Sequence, residues 1–69
     1  MRNELYLKEM GKKIKAIRKM KKITLDRLSH LCTIDVSALS FIENGKRNAH
    51  ILTLKSIAEV LEVDVKDFI

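Results

Sequence analysis

TLDRLSHLCTIDVSALSFIENGKRN, the stretch from Thr24 to Asn48, decides the fold. Its apolar residues have the spacing of two short helices that cross over a tight turn and share one core. These residues are Leu28, Cys32, Ile34, Leu39 and Ile42. The small Ser29 stands where the two helices must approach closely. Asp35 precedes the second helix, where we expect its side chain to accept hydrogen bonds from the free backbone amides.

Two helices in this arrangement form a helix-turn-helix, whose second helix is the element that enters the major groove of DNA. From Gly11 onward the chain resembles the Cro/lambda-repressor-type helix-turn-helix family, also called the xenobiotic-response-element type. The matching segments are GKKIKAIR, TLDRLSHL, IENGKRN and LKSIAEVLEVDVKDFI. The resemblance implies one all-α domain over residues 1–69, a compact five-helix, lambda-repressor-like DNA-binding domain. Its helix-turn-helix occupies about residues 24–44.

Helices are predicted throughout, because the chain has no proline, only two glycines and no strand-like alternation. Their approximate bounds are residues 4–21, 24–32, 36–44, 52–62 and 65–69. Thr24 and Asp64 are the predicted caps of the second and last helices. Gly45 ends the third helix where a left-handed residue costs least. Thr33 stands in the turn where the family usually has glycine, and a β-branched residue at positive φ is strained.

The net charge of +5 is concentrated at one end of the chain. Residues 1–22 hold nine Lys or Arg against two acids, whereas residues 50–69 hold two lysines against four acids. This distribution is typical of a surface that faces phosphates, although a lysine-rich helix that only aids solubility has the same composition. No apolar run approaches the roughly 18 residues that span a membrane. We therefore expect a cytoplasmic protein with no membrane partner.

Enzymatic chemistry has no candidate residues. The single cysteine, Cys32, fits a small apolar core residue, and the two histidines are well separated. The chain has no nucleophile–base set, no phosphate-binding loop and no cluster with metal-ligand spacing. We expect a protein that is not an enzyme and that needs no cofactor or metal.

The resemblance implies two groups of DNA-contacting residues. The base-facing residues are Val36, Ser37, Ser40 and Phe41. The phosphate-facing residues are Lys22, Thr24, Asn44, Lys46, Arg47 and Asn48. No base-facing side chain is of the type that makes bidentate contacts to guanine or adenine, so direct readout is expected to be weak. Val36 and Phe41 can contact thymine methyls, and DNA shape can supply further specificity. Leu25 replaces a glutamine that in many relatives hydrogen-bonds a phosphate.

The resemblance also implies a structural ion pair and a dimer. Arg18 and Glu43 are expected to pair and to lock the recognition helix to the scaffold. The apolar residues of about residues 51–69 exceed what one small core absorbs, which favours a two-fold interface. The predicted interface residues are Ile51, Val60, Val63, Val65, Phe68 and Ile69. The alternative is that these residues only close the core of a single chain.

The sequence is compatible with two functions. The first is a bacterial or phage transcriptional regulator that binds a palindromic operator in double-stranded DNA as a homodimer, as a restriction–modification controller or a phage-type repressor does. The second is a helix-turn-helix module for protein–protein interaction, of the antitoxin or anti-repressor type. In the second, the exposed face around Phe41 would bind a protein, and DNA readout would be weak.

Overall fold

The computed structural model describes residues 2–69, with side chains from Glu4 onward. It contains four α-helices, which are α1 (Arg2–Met20), α2 (Leu25–Leu31), α3 (Val36–Glu43) and α4 (Ile51–Leu61). A 3₁₀ turn at Val65–Asp67 closes the described chain. The all-α prediction is confirmed, but the predicted fifth helix is only a single 3₁₀ turn. The last element is a single turn because Asp67 N–H and Phe68 N–H donate to carbonyls three residues earlier, at 2.9 Å each.

One core joins the inward faces of all these elements. Its fully buried side chains are Ile14, Leu28, Leu39, Ile57, Leu61 and Phe68. The prediction that Phe68 lies in a dimer interface is wrong, because the residue has 0% of its surface exposed within a single chain. An aromatic ring removes more apolar surface from water than most side chains do, which favours its burial. The 3₁₀ turn therefore anchors the C-terminal segment to the core.

All four helices end in the same hydrogen-bond pattern, the Schellman motif. In each, a left-handed residue lies one or two positions past the helix, and the next amide donates to a carbonyl five residues back. The left-handed residues are Lys22, Thr33, Gly45 and Glu62, with φ of 60°, 54°, 72° and 60°. The left-handed conformations predicted for Thr33 and Gly45 are thus present. Three of the four ends use a residue with a side chain, although glycine fits this conformation without steric cost.

The helix starts differ from one another. Thr24 Oγ1 accepts a hydrogen bond from Arg27 N–H at 3.1 Å, and His50 Nδ1 accepts one from Leu52 N–H at 3.2 Å. Asp64 caps the 3₁₀ turn, as predicted. Asp35 occupies the expected position before α3, but its side chain accepts no capping hydrogen bond. The predicted side-chain cap of α3 is therefore wrong, and the first amides of α3 have no partner from Asp35.

α1 and α3 approach closely at the two glycines of the chain. A Cβ atom on Gly11 would lie 2.5 Å from the carbonyl oxygen of Ile42 and would also meet that of Glu43. A Cβ atom on Gly45 would lie 2.7 Å from the Cα of Lys8. Side chains are excluded at both points, so the backbone of α1 lies directly against the end of α3. This contact sets the position of the helix that carries the predicted base-facing residues.

Candidate nucleic-acid interface

α3 has one buried face and one open face. Leu39, Ile42 and Glu43 point inward and are buried. The four base-facing residues predicted from the sequence lie on the other side, where Val36, Ser37 and Phe41 are exposed and Ser40 is half-buried. The ring of Phe41 keeps 45% of its surface exposed. The side chains predicted to contact bases thus lie together on one outward surface.

A buried arginine holds the end of α3. The Nε of Arg18 donates to the Oε2 of Glu43 at 2.7 Å, and the Nη2 donates to Oε1 at 3.0 Å. The third guanidinium nitrogen, Nη1, donates to the carbonyl oxygen of Ile23 at 2.9 Å. Both partners of the ion pair are buried. Such bidentate pairs combine charge with fixed geometry, so the pair fixes the orientation of α3 against α1.

The same guanidinium connects the two segments that carry the predicted phosphate contacts. Ile23 lies between Lys22 and Thr24, and Glu43 directly precedes Asn44. Because Arg18 bonds to both Ile23 and Glu43, the start of α2 and the end of α3 are held close together. The six predicted phosphate-facing residues are all exposed. Nothing in their burial prevents contact with a DNA backbone.

Arg47 stacks on the exposed face of α3. Its guanidinium carbon lies 5.7 Å from the centroid of the Phe41 ring, within the range of a cation–π interaction. At an exposed site such a contact contributes about 0.5–1 kcal/mol. Asn44 Nδ2 donates a long hydrogen bond, 3.4 Å, to Ser40 Oγ. Two predicted phosphate-facing residues therefore also contact the open face of α3.

Asn48 has different neighbours from Arg47. Its Oδ1 accepts a hydrogen bond from Ala49 N–H at 2.8 Å. Its side chain borders an apolar depression with Tyr6, Leu7 and Ile69, which lies between α1 and the C-terminal end. The loop after α3 thus faces two surfaces, and only its first part contacts the open face of α3.

Two residues that sequence reasoning did not select lie at this interface. The side chain of Leu25 lines a shallow pocket together with Val36, Ser37, Ser40 and Phe41. Lys8 packs its backbone and Cγ against Gly45, just before the basic residues of the loop. Leu25 was recognisable as the first residue after the cap of α2. Nothing in the sequence indicated the position of Lys8.

Apart from the buried Phe68, the predicted dimer residues divide into two groups. Ile51 and Ile69 are exposed over 51% and 53% of their surface, and Leu52, which was not predicted, over 66%. The valines at positions 60, 63 and 65 are half-buried and pack against the core. The open apolar surface of the C-terminal third is therefore narrower than predicted. Leu5 and Tyr6 of α1 are also exposed and apolar.

Other kinds of site have little support among residues 2–69. No group of metal-ligating side chains occurs there, and none of the described helices is long and apolar enough to cross a membrane. Cys32 is half-buried and packs against the core, and burial raises the pKa of its thiol. A raised pKa disfavours the reactive thiolate, which agrees with a packing role.

A family model described as "HTH_3: Helix-turn-helix" matches residues 14–68. The chain belongs to the HTH_3 helix-turn-helix family. The predicted resemblance to the Cro-type helix-turn-helix is thereby confirmed. HTH_3 proteins are DNA-binding transcription regulators. No match was found among curated protein sequences.

Several solved structures are similar to this HTH_3 chain. A point mutant of the restriction-modification controller protein C.Esp1396I is 36% identical, with 91% of this chain and 81% of that chain covered, at a TM-score of 0.82. The controller protein C.AhdI from Aeromonas hydrophila is 22% identical, and the match covers 91% of this chain and 96% of that chain at a TM-score of 0.88. At this identity the similarity supports the fold alone. An HTH_3 family transcriptional regulator from Vibrio cholerae is 27% identical. The match covers 96% of this chain and 37% of that chain, at a TM-score of 0.88.

Proposed function

We propose that this HTH_3 chain is a transcriptional regulator that binds a palindromic operator in double-stranded DNA as a homodimer. The observation that carries the proposal is the division of α3 into a buried face, held by Arg18, and an open face that bears Ser37, Ser40 and Phe41. A helix that is fixed to its scaffold and open on one side can enter a major groove without rearrangement. The similarity to the controller protein C.Esp1396I, at 36% identity, supports a role in the same class.

Phosphate contacts are proposed to come from both ends of the motif. Lys22 and Thr24 precede α2, and Asn44, Lys46 and Arg47 follow α3. All are exposed, and the Arg18 guanidinium holds the two segments together. Contacts of this kind supply most of the salt-dependent affinity, whereas base contacts supply sequence preference. Lys8, beside Gly45, is a further candidate for a phosphate contact.

The dimer is proposed to form through the exposed apolar residues of the C-terminal third. One α3 of eight residues reads only a few base pairs, and a two-fold pair of such helices, roughly 34 Å apart, reads a palindrome. Ile51, Leu52 and Ile69 are the exposed apolar residues available for this contact. Phe68 has no part in it, because its ring is enclosed in the core.

The test is selection of binding sites from random-sequence duplex DNA at two salt concentrations. We expect a palindromic site whose half-sites lie about one helical turn apart. Affinity should fall steeply with salt, since each neutralised phosphate contributes about −0.9 to the slope of log K against log salt. Sedimentation of the free protein should reveal a dimer.

A pair of lysine variants separates specific charge contacts from net charge. Lys46→Ala should reduce the salt slope by about 1 per protomer. Lys66→Ala removes the same charge from the exposed 3₁₀ turn and should leave the slope unchanged. Binding without sequence preference, abolished by moderate salt and equally affected by both substitutions, would contradict the proposed function.

A further inference from the structure

The pocket between α2 and α3 has an unusual lining for a surface that meets a polyanion. Leu25, Val36 and Phe41 supply apolar walls, and Ser37 and Ser40 supply the only polar side chains. No charged residue lines it. Leu25 also packs against the core, so this wall is fixed, whereas Val36 and Phe41 stand open to solvent.

This lining excludes most of the groups that DNA presents. A phosphate would lack a cation within the pocket, and a purine edge would lack the amide or guanidinium that binds it bidentately. A small apolar group on an otherwise polar edge fits better. In the major groove that group is the methyl at C5 of a pyrimidine, which favours contact with apolar side chains.

The two hydroxyls do not distinguish between the pyrimidines. A serine hydroxyl can either donate a hydrogen bond or accept one. It therefore suits both the O4 acceptor of thymine and the N4 donor of cytosine. Since Ser37 and Ser40 are the only polar residues in the lining, discrimination between bases depends on the apolar walls. These walls favour a base that carries the methyl group.

Resting on the proposed function, we propose that the pocket formed by Leu25, Val36 and Phe41 recognises the C5-methyl group of a pyrimidine. Thymine and 5-methylcytosine are accepted at that position, and uracil and unmethylated cytosine are disfavoured. The DNA affinity of this chain thereby depends on cytosine methylation wherever a cytosine occupies the position. Phe41 also carries Arg47 on its ring, so one residue both lines the methyl pocket and holds a cation beside it.

The test uses the palindromic duplex obtained by selection, altered one position at a time in both half-sites. Replacing thymine by deoxyuridine removes only the methyl group. At one position per half-site we expect affinity to fall about fourfold for each methyl group lost. This factor corresponds to the free energy of burying one carbon atom. A cytosine at that position should bind as weakly as uracil, and 5-methylcytosine should restore about the same fourfold.

Matched protein variants assign the effect to the pocket. Val36→Thr keeps the shape of an exposed residue but replaces a methyl by a hydroxyl, and it should reduce the penalty for deoxyuridine. Leu31→Thr alters an exposed apolar residue outside the pocket and should leave that penalty unchanged. A selected site with no deoxyuridine effect at any thymine, and no effect of methylating a cytosine placed there, would overturn the methyl pocket alone. Binding without any selected site would overturn both proposals.

Discussion

On its inward face, α3 places Leu39 and Ile42 in the core, and Glu43 accepts two hydrogen bonds from Arg18. On its outward face, Val36, Ser37 and Phe41 stand exposed. The contacts of that face are the pocket wall shared with α2, one long hydrogen bond and the stacked arginine. One eight-residue helix thus carries both a buried, ion-paired face and an exposed face.

This contrast indicates that a small domain can present an exposed surface whose side chains are not needed in the core. The inward contacts include a backbone approach at Gly11 and a buried ion pair, both of which fix direction as well as distance. The outward residues are then free to vary with little cost to folding. Substitutions on the two faces should therefore have opposite profiles of stability and DNA affinity.

The largest expected effect follows from Glu43→Ala. Removing the carboxylate leaves the Arg18 guanidinium buried without its charge partner, which should lower the free energy of unfolding by about 3–5 kcal/mol. Urea denaturation measures this loss. Glu59→Ala, on the exposed side of α4, is the control and should change stability by less than about 0.5 kcal/mol. Similar small effects of both variants would mean that the ion pair does not hold α3.

The next effect tests the backbone approach of α1 to α3. In an exposed helix, replacing glycine by alanine stabilises by about 0.5–1 kcal/mol. At Gly11 the added Cβ would meet the carbonyl oxygens of Ile42 and Glu43, so Gly11→Ala should instead destabilise by about 1–3 kcal/mol. Ala16→Gly, at an exposed position of α1, should cost about 1 kcal/mol. A Gly11→Ala protein more stable than the original would contradict a close approach of α1 to α3 at Gly11.

A smaller effect concerns the turn that joins the two helices of the motif. Thr33 is β-branched and left-handed, with φ of 54°, and such a residue costs about 1–2 kcal/mol relative to a relaxed one. Thr33→Gly should relieve this cost and, after the added chain entropy of glycine, raise stability by about 1 kcal/mol. Thermal unfolding should then occur about 4–8 °C higher. Gly45→Ala should instead lower the stability of the protein. A Thr33→Gly protein that unfolds at a lower temperature than the original would contradict backbone strain at Thr33.

The smallest effect on folding is expected at the outward face. Phe41→Ala should lower the free energy of unfolding by no more than about 1 kcal/mol, because Phe41 is nearly half exposed and its cation–π contact with Arg47 lies at the surface. The same substitution should weaken binding to the selected duplex, since it removes both a pocket wall and the support of Arg47. Denaturation and DNA titration of one preparation measure both quantities. A large loss of stability would mean that the outward face also belongs to the core.

Much of the inward face was predictable from the sequence. The spacing of Leu28, Leu39 and Ile42 predicted the packing of the two motif helices, and the left-handed turn at Thr33 followed from family resemblance. Phe68 was misassigned because an apolar residue near a chain end has the same periodicity whether it closes its own core or meets another chain. Only the backbone path of the 3₁₀ turn decides between these two environments.

The outward face was predictable as a set of residues but not as a surface. The resemblance placed Val36, Ser37, Ser40 and Phe41 together, and they are together. The pocket wall from Leu25 and the stacking of Arg47 on Phe41 depend on how α2 and the loop approach α3, which no local pattern encodes. The absent cap at Asp35 is a similar case, since residue type favours a cap but side-chain direction decides it.

The most direct test is a titration of the isotope-labelled protein with the selected duplex, followed by the amide resonances of every residue. If the outward face of α3 reads DNA, the largest shifts will occur at Ser37, Ser40, Phe41 and Lys46–Arg47, with small shifts along α4. Shifts centred on Ile51, Leu52 and Ile69, with the α3 amides unchanged, would contradict the assignment of α3 as the DNA-reading helix.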